Sequence, residues 1–194
     1  MKKIICTTIF MLCLLLTACG KSGDITKLES SVEVAADGSS HVYLSESFDK
    51  DYYSETELLD MVGTEISVYN SSNGEGSIKL GDHKLSDGIM KLEFDFADTD
   101  AFNYYMPDEL YVGSVGGAYE AGYDFNRSLY NASSSENSIG KKDLLKMENE
   151  KMIVLSGSSA VKAPGRIKFY SQGMEMLGTD TVRPLKDGLY FIIY

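Results

Sequence analysis

Met90, Leu92, Phe94 and Phe96 alternate with Lys91, Glu93 and Asp95. Successive side chains leave a strand on opposite sides, so this pattern predicts a strand with one face buried and one face wet. Its expected partner is Ile78 to Leu85, joined across Asp87-Gly88. A second hairpin is predicted upstream, where Val32 and Val34 flank Glu33, Asp37-Gly38 supplies the turn, and Val42 and Leu44 continue the alternation within His41 to Phe48. Between the two hairpins the apolar spacing lengthens from two to nearly four. Leu58, Val62, Ile66 and Tyr69 follow Ser54-Glu55-Thr56-Glu57. A helix is therefore expected from Glu55 to about Tyr69, with Ser54 accepting from the amide three residues on and Glu57 reaching back. Asp98 stands where it can cap a short helix carrying Ala101, Phe102 and Tyr105 and stopped by Pro107.

From Asp108 to Gly140 the periodicity fades. Gly113, Gly116, Gly117 and Gly122 interrupt it, and Asn131 to Ser138 is mostly Ser and Asn. The stretch reads as a long excursion, the kind of segment that carries function more often than core strands do. Beyond it, Lys141 to Glu150 predicts a short helix using Leu144, Leu145 and Met147. Strands are then expected at Met152 to Ser156, at Ser159 to Tyr170 with a type II Pro164-Gly165 turn inside it, at Met174 to Val182, and at Leu189 to Tyr194. The order ββαββα at the front and the strand-rich end predict an α+β fold, a mostly antiparallel sheet with two or three short helices packed on one face. The domain is expected over 28–194, with sub-halves 28–106 and 141–194 joined by the Gly-, Ser- and Tyr-rich excursion.

The front end has a different grammar. Met1-Lys2-Lys3 precedes a 13-residue apolar or weakly polar run from Ile4 to Leu16, then Thr17-Ala18-Cys19-Gly20. A spanning helix needs ~20 apolar residues, so the run reads as the core of a secretory signal over 1–18, cleaved before Cys19. Leu16-Thr17-Ala18-Cys19 resembles the lipobox of bacterial lipoproteins, in which small residues fit the peptidase and the thiol takes a diacylglyceryl group. That resemblance implies lipidation at Cys19, a tether over 19–27, and placement on the outer face of a cell membrane. Of the three cysteines, Cys6 and Cys13 fall in the expected leader. Cys19 alone would remain, which leaves no thiol for a disulfide, a metal or a nucleophile. About 170 residues would have to fold on a hydrophobic core, an ordinary length for one domain.

Charge excludes one class of partner. The chain carries −11, and losing Lys2 and Lys3 makes it more acidic. No basic run exceeds Lys141-Lys142, so phosphate polymers are repelled and nucleic acid is not an expected partner. Metal and cofactor sites are not expected either. His41 and His83 are the only histidines, far apart among polar neighbours, and zinc wants three or four ligands. Asp95, Asp98 and Asp100 cluster without the glycine and terminal glutamate of a calcium loop. No Gly-x-Ser-x-Gly elbow occurs, Gly157-Ser158-Ser159 has no nearby base, and a Ser-His-Asp set would have to recruit a histidine across the fold. No catalytic residue is singled out.

Tyrosine is the compositional excess, with 13 Tyr and no Trp. Tyr104, Tyr105, Tyr111, Tyr119, Tyr123 and Tyr130 lie in or beside the irregular region and could form an aromatic binding surface for sugar, peptide or protein. The plainer reading is ordinary strand and core-edge tyrosines. With Leu16-Thr17-Ala18-Cys19, Ala36-Asp37-Gly38-Ser39, Ala163-Pro164-Gly165-Arg166-Ile167 and Tyr190-Phe191-Ile192-Ile193-Tyr194 in view, the chain resembles small surface lipoproteins of Gram-positive, clostridia-like bacteria. Its front half, Leu28 to Met106, is distantly similar in pattern to LppM-type lipoprotein domains. The resemblance implies placement on a membrane's outer face and brings no catalytic residue with it, so Cys19 is the one residue it carries over. The expected function is a non-catalytic binding or interaction module with an envelope protein or glycan as partner. Two alternatives remain open at this stage, a small envelope hydrolase using carboxylates and a solute-binding component of a transporter.

Overall fold

The computed structural model describes residues 30–194. The expected leader, Cys19 and the tether lie outside the described residues. The first predicted hairpin forms as β1 (Ser31–Val34) and β2 (Ser40–Ser47), followed by α1 (Glu55–Asn73). The Glu57 amide donates to Ser54 Oγ at 3.3 Å, so the cap sits where the sequence placed it. The helix runs four residues past Tyr69 and ends at Gly74, whose φ of 112° suits a residue without a Cβ. Next come β3 (Ile78–Ser86) and β4 (Ile89–Phe96), joined by Asp87-Gly88. Both turn residues have positive φ, 55° and 72°, the two-residue turn whose twist matches a hairpin. Then α2 (Thr99–Tyr105) begins where Asp98 Oδ1 accepts from the Ala101 amide at 2.8 Å.

The stretch read as an irregular excursion is ordered. It forms β5 (Leu110–Ser114), α3 (Val115–Glu120), β6 (Leu129–Asn131) and β7 (Ser134–Ile139). Its glycines are packing residues. A Cβ on Gly117 would lie 2.5 Å from the Tyr111 hydroxyl, and Gly113 is crowded by the same hydroxyl. The strand β7 is exposed along most of its length, so it shows no apolar alternation to read.

The predicted helix at Lys141 to Glu150 is a single turn, α4 (Lys141–Leu144). The chain then tightens into successive bonds between residues three apart, Lys146 to Asp143, Met147 to Leu144 and Glu150 to Met147. Six strands complete the fold: β8 (Lys151–Gly157), β9 (Ala160–Lys162), β10 (Phe169–Ser171), β11 (Met174–Met176), β12 (Thr181–Pro184) and β13 (Gly188–Ile193). The expected strand Ser159 to Tyr170 is thus two strands, and they belong to different sheets. Pro164-Gly165 lies in the crossing between them rather than in a hairpin. Gly165 is not among the positive-φ glycines, so the type II turn, which needs positive φ at its third position, is not formed. Ala163 and Ile167, either side of the pair, are buried and pin the crossing to the core.

The fold is α+β and mostly antiparallel, as the sequence predicts. The strands divide between a seven-stranded sheet, ordered β11-β12-β9-β1-β2-β4-β3, and a six-stranded sheet, ordered β5-β8-β13-β10-β6-β7. Among the described pairs only β1 and β9 run parallel. Strands from 28–106 and from 141–194 therefore share one sheet.

Alternation builds two cores. Val32, Val42, Phe94, Val161 and Val182 from the first sheet meet Leu110, Ile153, Leu155, Tyr190 and Ile192 from the second, with Val62 and Tyr69 of α1 and Ala101 and Phe102 of α2. The next residues along the second sheet, Met152, Val154, Phe191 and Ile193, point to its other face. There Val115 and Ala118 of α3, Leu144 of α4 and Phe125 close a smaller core. The outer face of the first sheet is left for polar side chains.

Candidate functional site

On that outer face a row of charged residues crosses five strands in register. Lys162 of β9 stands opposite Glu33 of β1, Glu33 opposite His41 of β2, His41 opposite Asp95 of β4, and Asp95 opposite Lys79 of β3. Each is the outward neighbour of an inward apolar residue, since Val32, Val42 and Phe94 are buried. Opposite charges on directly facing strands attract. Lys162 Nζ lies 3.0 Å from Glu33 Oε2, and His41 Nδ1 lies 2.6 Å from Asp95 Oδ1.

One step along the same face, Tyr43 stands opposite Glu93. Glu93 is 6% exposed, the one buried acidic side chain among the described residues. What covers it is local. The strand β3 breaks register between Leu80 and His83, and at Gly81 a Cβ would lie 3.2 Å from the Glu93 Cβ. The bulge thus brings backbone close over the carboxylate. The Tyr43 ring meets His41 edge-on at 4.3 Å between centroids.

The remaining ring nitrogen of His41 faces this buried acid, with Nε2 lying 3.7 Å from Glu93 Oε2. That distance is too long for a hydrogen bond. Neither His41 Nε2 nor Glu93 Oε1 has a hydrogen-bond partner among the described residues. Burial pushes the Glu93 carboxyl above the usual carboxylate range; His41 opposes the shift, and Asp82 and Asp95 add to it. At the turn end of the row a cleft of about 360 Å³ is lined by Glu33, Ser39, Ser40, His41, Asp95 and Phe96.

Ser40, which lines the cleft with His41, is buried, and its hydroxyl has no hydrogen-bond partner among the described residues. Among the described residues no group of three or more His, Cys, Asp or Glu converges to enclose a metal. The acidic cluster noted in the sequence is split by function. Asp95 holds His41 and Asp98 caps α2. His83 is exposed in the bulge, opposite Leu92.

The six tyrosines are distributed. Tyr105 and Tyr130 pack against the core between the sheets, whereas Tyr111 and Tyr123 pack against the core on the far side of the second sheet. Tyr111 and Tyr123 meet each other at 5.5 Å, and the Tyr123 hydroxyl donates to Glu109 at 2.5 Å. Burial, and then that bond, hold the Tyr123 phenol well above its ordinary range. Tyr104 is 58% exposed and stacks on Tyr69; Tyr119 is 46% exposed, packs on Phe125 and receives Lys141.

The His41, Glu93 and Asp95 cluster escaped the sequence reading because β2 and β4 are not a hairpin. An α-helix and a strand separate them, so their register is set by the tertiary fold. The available signal was the coincidence of His41 and Glu93 on the wet faces of two predicted strands. Comparison with family models, with curated proteins and with solved structures finds no match to this chain.

Proposed function

We propose that the chain is a lipoprotein of the extracytoplasmic face of a cell membrane, acylated on Cys19, whose folded domain binds a partner rather than transforming a substrate. The observation that carries the address is Leu16-Thr17-Ala18-Cys19 behind Lys2-Lys3 and the apolar run Ile4 to Leu16. A diacylglyceryl group supplies two chains, enough for stable anchoring where one is marginal. Among the described residues no helix is long and apolar enough to cross a membrane, so the lipid is the attachment this reading relies on. Strand β1 opens at Ser31, twelve residues after Cys19. Even fully extended, that span reaches about 40 Å, so the domain would work close to the bilayer. The binding half of the reading draws on Tyr104 and Tyr119, whose rings present a flat apolar face with a polar tip to solvent. An envelope protein or glycan is the partner class such rings suit.

Cys19→Ala should move the protein from the membrane fraction to the soluble fraction and abolish labelling by radioactive palmitate. Retention in the membrane would overturn the anchor. A photo-crosslinker at position 104 or 119 on intact membranes should give a discrete adduct; failure at both positions would remove the tyrosine surface from the proposal.

A further inference from the structure

We propose that the segment crossing between the two sheets carries a phosphate-ester site, with Arg166 and Lys168 as its charged donors and Asn131 and Ser133 as its neutral ones. The starting observation is a cleft of about 330 Å³ lined by Asn131, Ser133, Arg166, Ile167, Lys168 and Phe169. Every polar side chain in that lining can donate a hydrogen bond, and none is a carboxylate. The chain as a whole has 29 Asp and Glu against 18 Lys and Arg. By contrast, the clefts at His41, at Lys84 and at Lys146 each include at least one acid.

The fold fixes the backbone beneath these donors. The Ile167 amide donates to the Thr179 carbonyl at 2.9 Å, and the Lys168 amide to the Ile193 carbonyl at 2.7 Å. The Lys168 carbonyl in turn accepts from the Ala132 amide at 2.9 Å. Ile167 is buried, whereas Arg166 and Lys168 on either side of it are exposed. Across the cleft, Asn131 Oδ1 accepts from the Ser133 amide at 2.8 Å, which leaves the Asn131 NH₂ and the Ser133 hydroxyl to donate. A site whose backbone is already held loses little freedom when a ligand enters.

Charge and donor geometry select the ligand. Arg166 makes no ion pair among the described residues. Its guanidinium is therefore an uncompensated charge, with five donors in a fork that matches phosphate. Lys168 is bonded to Glu150, but exposed pairs of this kind are worth little, and the ammonium has two further protons to give. Donors from two sides exceed what the coplanar oxygens of a carboxylate take up and suit the tetrahedral oxygens of a phosphate. Phe169, half-buried, offers the ester's carbon part an apolar wall. On the other side of the segment Arg166 and Ile167 line a further acid-free cleft of about 170 Å³, beside Ala132 and Met176, with room for more of it. The negative charge of the whole chain repels a phosphate polymer, so a single ester group is the ligand class.

The test is calorimetric titration of the full chain, purified in an uncharged detergent, with sn-glycerol 3-phosphate, and with glycerol as the uncharged counterpart. One saturable site is expected for the phosphate, weakening as salt is raised, and none for glycerol. Arg166→Gln removes charge-assisted bonds and should weaken binding about tenfold or more. Arg166→Lys keeps the charge without the fork and should lose less. Lys168→Gln should also weaken binding, and it keeps the test sound if Arg166→Gln disturbs the fold. Lys186→Gln, before the other end of β13, should leave binding unchanged. Repeating the titration with phosphatidylglycerol in the micelles separates two sources of the same chemistry. Weaker apparent binding there identifies a lipid headgroup as the occupant, and unchanged binding a water-soluble ester. No saturable phosphate binding, equal binding of glycerol, or equal binding by Arg166→Gln would overturn the proposal.

Discussion

The side chain of Asn70 clasps Ile78 at both backbone groups. Its Nδ2 donates to the Ile78 carbonyl at 2.9 Å, and its Oδ1 accepts from the Ile78 amide at 2.9 Å. Ile78 opens β3, an outermost strand of its sheet, and is 1% exposed. Asn70 therefore occupies the place a further strand would take. The second helix repeats the device, for Asn103 donates to the Leu110 carbonyl at 3.0 Å and accepts from its amide at 2.7 Å, where β5 opens the edge of the other sheet. Removing either clasp strands two buried backbone groups, each costing ~1–3 kcal/mol. Asn70→Ala and Asn103→Ala should each lower the thermal midpoint by roughly 5–15 °C, at about 2–4 °C per kcal/mol for a domain of this size. Asn70→Asp, which keeps only the acceptor, should fall between. Thermal melts followed by circular dichroism decide it, and an unchanged midpoint in Asn70→Ala would remove the clasp from the account of stability.

Tyr111 sets the glycine requirement of α3. Its hydroxyl donates to the Ser114 carbonyl at 3.1 Å and lies 2.5 Å from where a Gly117 Cβ would stand. Gly117→Ala should destabilise the fold by about 1–3 kcal/mol, the usual cost of overpacking. Tyr111→Phe removes the clashing oxygen, so the double variant should recover most of the loss. Additive losses in a double-mutant cycle measured by urea unfolding would show that the backbone, rather than the hydroxyl, makes alanine intolerable there.

Asp108 gives the stability a pH signature. Burial raises its carboxyl above the ordinary value of 3.8, and the neighbouring charge of Asp187 raises it further. A raised native value means that the folded state holds the proton more tightly than the unfolded chain does. The stabilising contribution is therefore complete below the unfolded value and is lost as pH rises through the folded value. Asp108→Asn should raise the midpoint at pH 7 and change it little at pH 3. A lower midpoint at pH 7 would mean that the charged carboxylate is favourable where it stands.

Tyr105 makes the alkaline counterpart. It packs among Phe94 and Phe96, and burial, with a smaller contribution from the charge of Glu65, pushes its phenol up to about 12. Absorbance at 295 nm should show late-titrating phenols still protonated at pH 11 in the folded protein, Tyr105 and Tyr123 among them, and Tyr105→Phe should reduce the amplitude of that late step. The proton held above the unfolded value stabilises the fold until pH passes the folded value. An unchanged titration curve in Tyr105→Phe would assign the late step to another ring.

What the sequence made legible was set by local period and local turns, although the Pro164-Gly165 turn and the length of the helix at Lys141 were misread. Met90 to Phe96, the Asp87-Gly88 reversal, the Ser54 and Asp98 caps and the final strand each follow from side-chain geometry within a few residues. The allocation of strands to sheets was not legible, because β9 and β10 look like one run and are parted only by the burial of Ala163 and Ile167 between two layers. Glycines 113 and 117 read as loop formers because the tyrosine that needs their missing side chains is a tertiary neighbour. The candidate site was hidden for the same reason. His41 and Glu93 are ordinary wet-face residues until β2 and β4 lie side by side, and nothing between positions 41 and 93 announces that pairing.

The parallel junction of β1 with β9 imposes a schedule on the chain. Residues 31–34 pair with 40–43 as soon as the first turn is made, but the other side of β1 waits for Ala160 to Lys162. At about 5–20 residues added per second, a ribosome takes roughly 6–25 s to reach that partner. Through that interval the nascent sheet has an unsatisfied seam beside its first strand, open to whatever extended chain is nearby. The tail of the chain completes the layer that its head begins, so truncation near the end should cost order at the beginning.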